Sequence, residues 1–196
     1  MSLLPVVAVN KPADLAKVSN GRLGPCHLKS VYFAGINHRS IHHVAARAWE
    51  ALVLACLKET GLVLSASGSP YRDVQAQTDL FLKRYVKGYN PLICTLADQR
   101  VWNGVRYFKR RGVAAVATPS TSNHGWGLAV DAAWYKQKAT PSIQGIQSDT
   151  KGWEWLRANA LRFGWCWETQ AEPWHIRYFS GDKIPQAVLD VEAAIA

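Results

Sequence analysis

The sequence is short of acidic residues and has no long apolar run, and it contains neither an H-E-x-x-H signature nor a C-x-x-C pair. Asp and Glu total 14 against 23 Lys and Arg, a net charge of +9. Such a surplus draws a protein towards polyanions: nucleic acid, anionic membranes or anionic wall polymers. No apolar stretch reaches the ~20 residues of a membrane span. The apolar start, Leu3 to Val9, has no basic segment before it and runs into Asn10-Lys11-Pro12-Ala13-Asp14 rather than a small-residue cleavage site. No secretory signal is expected from it. Without H-E-x-x-H, the helical zinc-protease arrangement is excluded. The four cysteines, Cys26, Cys56, Cys94 and Cys166, do not spell a zinc ribbon or a redox motif. Reduced thiols are expected, with Cys56 in the core. There are no repeats, low-complexity segments or internal linkers, and hydrophobic residues make up 48% against 19% charged. The expectation is therefore one globular domain over residues 1–196.

What is present has a definite order. Residues 1–40 are punctuated by Pro and Gly and are expected to be irregular. Ser40 can cap a helix over Val44, Ala48, Leu52 and Ala55 that stops at Gly61. Leu62–Ala66 reads as a buried strand, residues 73–85 as a second helix, and Val113–Val116 as a short strand. Leu128–Trp134 is a strand with Ala129, Asp131 and Ala133 on one face, so small neighbours leave room around the carboxylate. A helix over Trp153–Ala160 precedes an extended Trp165-Cys166-Trp167, and a period of two runs from Trp174 to Phe179. Helices and strands mix without regular alternation, which points to an α+β domain: a central antiparallel sheet flanked by helices. Residues 86–111 form an excursion rich in turns, and between Lys83 and Arg111 eight cations stand against Asp98 alone. Tyr85, Tyr89, Trp102, Tyr107 and Phe108 interleave with those charges, as in stacking platforms for single-stranded nucleic acid. No nucleic-acid motif accompanies them.

The chemistry is concentrated in two segments, Ser122-Asn123-His124-Gly125-Trp126-Gly127-Leu128-Ala129-Val130-Asp131 and Glu172-Pro173-Trp174-His175. They offer two imidazoles and a carboxylate, the donor set of a three-ligand zinc site with one open position. They also hold a spare carboxylate, Glu172, of the kind that serves as general base. Pro173 cannot sit inside a sheet ladder, so Glu172 belongs at a strand entrance.

The combination Ser-x-His-x-x-Gly-x-Ala-x-Asp with Glu-Pro-Trp-His resembles the signature of the D-alanyl-D-alanine carboxypeptidase and L-alanyl-D-glutamate endopeptidase family. These are zinc peptidases of peptidoglycan stem peptides, and they include many phage endolysins. The resemblance covers roughly residues 62–180 and implies that His124, Asp131 and His175 hold Zn2+ while Glu172 is the catalytic base. Tyr71-Arg72, with Gln77 five residues past the arginine, is similar to the family's Tyr-Arg-Ser-x-x-x-Gln segment, which implies an oxyanion role for Arg72. Asp73 stands where that segment has Ser, and Ser120 where actinobacterial and actinophage members have Gly. Ser122 either holds the motif loop or touches substrate, and Trp126 and Trp174 either line the cleft or pack.

The resemblance implies a scaffold shared with D-Ala-D-Ala peptidases and the hedgehog signalling domain. It also implies a monomeric phage endolysin, made in the host cytoplasm and acting on the wall once the membrane is opened. The basic excursion suits anionic cell-wall polymers. The alternatives are a D,D-carboxypeptidase of bacterial wall metabolism and an inactive wall-binding module. Retention of Glu172 and Arg72 argues against the inactive form.

Overall fold

The computed structural model describes residues 3–33, 35–136 and 142–195. The N-terminal region is more ordered than its Pro and Gly content suggests. β1 (Leu28–Phe33) and β2 (Ile36–His42) pair as an antiparallel hairpin. The chain stays extended past Ser40, so helix α1 (His43–Thr60) starts at His43 and Ser40 is not its cap. Four of its alanines are at most 2% exposed (Ala45, Ala46, Ala48 and Ala51), together with Trp49 and Leu52. Small side chains let neighbouring backbone approach this helix closely. It ends at Gly61, in the left-handed region at φ +78°, whose N–H donates to Leu57 O.

β3 (Val63–Ala66) follows, and then α2 (Val74–Arg84), capped by Asp73, whose carboxylate accepts from Ala76 N. The Ser-to-Asp departure therefore leaves a good N-cap in place. The basic excursion is a small antiparallel sheet in which β6 (Val105–Arg110) lies between β4 (Tyr85–Lys87) and β5 (Cys94–Trp102). Phe81 and Tyr85 stack at 4.8 Å beneath it, with Trp102 and Tyr107 edge-on to Phe81, so part of the aromatic set is packing.

Residues 113–116 do not form the expected strand. Their carbonyls are taken by side chains: Arg84 donates to Ala115 O at 3.2 Å, and just beyond, Gln77 donates to Ala117 O at 2.6 Å. The backbone is thereby held as one wall of a cleft.

β7 (Ala129–Lys136) is the hub of the main sheet, whose order is β3-β7-β10-β9, with β8 (Ser142–Gly145) also on β7 and every pairing antiparallel. Helix α3 (Thr150–Asn159) is capped by Asp149, three residues ahead of the expected start. It leads into β9 (Trp165–Trp167), β10 (His175–Tyr178) and α4 (Gln186–Ala193). The core lies between α1 and this sheet. Trp49, Trp134, Trp165 and Trp167 are fully buried in it, so nearly half of the nine tryptophans are structural. All four cysteines are unpaired, and burial pushes the Cys56 thiol up to about 11.

The N-terminal segment straps the far end of the chain. Leu4 N and O bond Gln170, Trp167 N donates to Pro5 O, and Asn10 N donates to Phe179 O. Asn20 Nδ2 then donates to Ser122 O at 2.7 Å, and Gly21 N to Gly125 O at 2.7 Å.

Candidate active site

Sheet register builds the site. β10 pairs β7 with His175 directly opposite Asp131, and pairs β9 with Ile176 opposite Trp167. Continued one residue, the second register puts Glu168 across from His175. Side chains directly opposite in antiparallel strands stand ≈ 4.5–5.5 Å apart at Cβ and meet. Asp131, His175 and Glu168 thus form a row: His175 Nδ1 lies 2.9 Å from Asp131 Oδ1, and Nε2 lies 3.0 Å from Glu168 Oε2.

His124 joins from a single 3-10 turn, Asn123–Trp126, with Ser122 as its N-cap. Ser122 Oγ accepts from His124 N at 3.2 Å, so this serine holds the loop while also lining the cleft. Gly127 closes the turn at φ +61°. A Cβ there would come 2.8 Å from His42 N, which accounts for glycine at that motif position. His124 Nδ1 lies 2.9 Å from the Pro70 carbonyl, which can only accept. The ring proton therefore sits on Nδ1 and the Nε2 lone pair is free, 3.5 Å from Asp131 Oδ2. Ligand atoms of His124, Asp131 and His175 all lie within 4.8 Å of one another, and both imidazoles are buried. Two neutral-nitrogen donors and a carboxylate at this spacing fit one Zn2+ ion.

The electrostatics follow from the row. Burial would raise the Asp131 carboxyl, but the flanking His124 and His175 imidazoles outweigh it and hold it well below the usual carboxylate range. Burial would lower the His175 imidazole. The two flanking carboxylates, Asp131 and Glu168, overcome this and raise it from 6.5 to about 9. The His175 hydrogen bond, helped by Asn123 and Arg177 against a burial penalty, holds Glu168 down at about 2.

The group opens into a cavity of ≈ 580 Å³ that also exposes Arg72, Glu172 and Trp174. Glu172 precedes β10 in the turn where His175 N donates to its carbonyl at 2.9 Å. Its carboxylate has no hydrogen-bond or ion-pair partner among the described residues. Arg72 is tied to the ligand loop through its own N–H, which donates to His124 O at 3.0 Å. Its guanidinium donates to Gln77 Oε1 at 2.8 Å, and no carboxylate among the described residues pairs with it. Burial lowers its pKa, against the attraction of Asp131. Gln77 is 2% exposed and therefore aims Arg72 rather than touching substrate.

Two expected substrate contacts lie elsewhere. Tyr71 faces a neighbouring cavity of ≈ 440 Å³ by β1–β2, its hydroxyl accepting from Leu23 N. Trp126 packs against the core with the Lys11 ammonium 4.2 Å from its ring, and does not line the cleft. Trp174, 42% exposed, does line it.

Residues 38–181, from β2 to just past β10, match the family model VanY, D-alanyl-D-alanine carboxypeptidase. The chain belongs to the VanY family. No curated protein matches it by sequence. The VanY-type fold is also seen in the LdcB LD-carboxypeptidase, whose structure is described as revealing the molecular basis of peptidoglycan recognition. The two share 24% identity over 98% of this chain and 89% of that one, with a TM-score of 0.51. VanYB in complex with D-alanine-D-alanine is similar at 20% identity over 96% and 92% of the chains, TM-score 0.49. The expected α+β class and the family resemblance both hold.

Sequence reasoning missed Glu168. The hairpin register was the one signal that could have found it, because the turn from 168 to 175 has no helical or strand period of its own.

A second group in this VanY-family member, Asp14, His42 and His43, has the same donor types. There the Nε2 atoms of both histidines lie 2.8–3.2 Å from Asp14, tying the turn Ala13–Lys17 to the start of α1. The positive end of α1 opposes a cation at that point. The buried His42 Nδ1 has no partner, so a metal on Nε2 would strand an N–H. This group is a structural tie.

Proposed function

We propose that the chain is a zinc-dependent peptidase that hydrolyses a D-alanine-containing stem-peptide or cross-link amide of peptidoglycan. The observation that supports this best is the convergence of His124, Asp131 and His175 in one cleft with an unengaged carboxylate and an unpaired guanidinium. Bound at His124, Asp131 and His175, zinc supplies a water activated near neutral pH and a Lewis acid for the scissile carbonyl. Glu172, free of other partners, takes a proton from the attacking water and returns it to the leaving amine. Arg72, aimed by Gln77, binds the oxyanion. Trp174 offers an apolar wall to the peptide.

Arg84, at the end of α2, and Arg100 of β5 line the cleft beside the other cations of the small sheet, which supports an anionic wall as the working surface. A phage endolysin that reaches the wall after membrane opening is the fuller form of this reading. A D,D-carboxypeptidase is the alternative, and the family match favours it.

The test is digestion of purified sacculi by zinc-loaded protein, followed by mass spectrometry. Freed or uncrosslinked stem peptides identify the endopeptidase and lysin, whereas free D-alanine alone identifies the carboxypeptidase. Glu172→Ala should bind zinc and lose about 10²–10⁴-fold in rate. His175→Ala should lose both zinc and rate. Full activity in chelator-treated protein, or in Glu172→Ala, refutes the mechanism.

A further inference from the structure

Glu168 lines the cleft, yet the proposed chemistry leaves it without a role. Its position is fixed from three sides. Register sets it opposite His175, and Oε2 lies 3.0 Å from His175 Nε2. The same oxygen accepts from Asn123 Nδ2 at 3.0 Å, and Oε1 faces the Arg177 guanidinium at 3.6 Å. Both oxygens are therefore engaged, unlike those of Glu172, which makes Glu168 a poor general base and a good anchor.

His175 turns Nδ1 towards Asp131, the ligand it shares with His124, and that leaves Nε2 on the outer side of the ring. With a metal on Nδ1 the proton must sit on Nε2, where Glu168 stands ready to accept it. The Pro70 carbonyl stands in the corresponding place behind His124. Outer acceptors of this kind fix ring tautomer and orientation and raise ligand basicity, and their loss typically costs 10–100-fold in metal affinity or activity.

We propose that Glu168 is a positioning residue of the metal centre: it holds the His175 imidazole with Nδ1 inward and tightens metal binding through it. This rests on the metal site assigned to His124, Asp131 and His175.

The test is zinc affinity of the full chain, measured by competition with a chromogenic chelator, for wild type, Glu168→Gln and Glu168→Ala. Each is also assayed for turnover at saturating zinc. Glu168→Ala should bind zinc about 10–100-fold more weakly. Glu168→Gln, whose amide oxygen still accepts the Nε2 proton, should recover part of that loss. Circular dichroism of the metal-free variants checks folding, and the near-isosteric Gln variant carries the test if the Ala variant unfolds. Wild-type affinity in both folded variants overturns the proposal. So does a variant that binds zinc normally yet loses turnover at saturation, since Glu168 would then be the base. A wild-type chain that binds no zinc overturns the metal site itself, a result separable from the other two.

Discussion

Replacing Arg72 tests the proposed oxyanion role apart from the proposed metal site. Its guanidinium is half-buried, donates to a neutral acceptor, Gln77 Oε1, and forms no ion pair among the described residues, although Asp131 attracts it at longer range. A cation so placed gains most from a negative charge that develops only at the transition state. Arg72→Ala should therefore lower kcat about 100- to 1000-fold, or roughly 2.7–4 kcal/mol, the cost of losing one oxyanion donor. Zinc affinity should hold or rise, because a positive charge leaves the neighbourhood of Asp131. Arg72→Lys keeps a charge but not the planar fork that reaches Gln77, and should fall between the two. Gln77→Ala acts through the same guanidinium, so it should matter in wild type and hardly at all beside Arg72→Ala. The coupling should be on the order of 1.5–3 kcal/mol for a hydrogen bond to a charged group. The assay is D-alanine release from a D-Ala-D-Ala-terminated peptide at saturating zinc, with kcat and KM separated. A change of less than about 3-fold in kcat, or a loss confined to KM, refutes the assignment, since uniform binding alone moves KM.

The metal-free protein should show a pH window of stability set by the row of charges. His175 is raised from 6.5 to about 9, so its contribution is complete below about 6.5 and is lost as pH rises through 9. Glu168 is lowered from 4.5 to about 2, so its contribution is present above 4.5 and is lost as pH falls through 2. Thermal unfolding of chelator-treated protein should peak between these limits. Zinc-saturated protein should lack the alkaline decline, and a flat metal-free profile from pH 6 to 10 contradicts the arrangement. Gly125→Ala would set a Cβ 2.7 Å from Asn20 Cγ, a residue that anchors the His124 loop. Overpacking of this kind costs about 1–3 kcal/mol. It should lower Tm by roughly 2–4 °C per kcal/mol in calorimetry, and an unchanged Tm would show that the loop tolerates the shift.

The candidate ligand set was legible because its chemistry is concentrated in ten and four consecutive residues. Motif spacing identified His124, Asp131, Glu172 and His175 although 44 residues separate the pair that meets at 2.9 Å. The helices α1 and α2 and the strands around Asp131 followed from apolar periodicity, and the end of α1 from Gly61. What escaped depends on contacts distant in sequence. Val113–Val116 has strand composition, but Arg84 takes the Ala115 carbonyl and Gln77 that of Ala117 just beyond. Residues 28–42 contain a hairpin whose turn carries no strong signal. Trp126 sits in the motif, yet its ring packs against the core beneath the Lys11 ammonium, a contact with a residue more than a hundred positions away. Glu168 became visible only once β9 and β10 were in register.

The N-terminal strap has a consequence for how the molecule assembles. Leu4 bonds a residue 166 positions away, Ala13 one 169 away, and Asn20 one 102 away. Contacts of such separation must close large loops before they contribute, which slows folding. During synthesis the bonds made by Leu4, Asn10 and Ala13 must wait for nearly all of these 196 residues to emerge. The loop that carries His124 and the turn that leads into His175 are clamped by that same segment. Metal capture should thus report the last step of folding rather than nucleate the first.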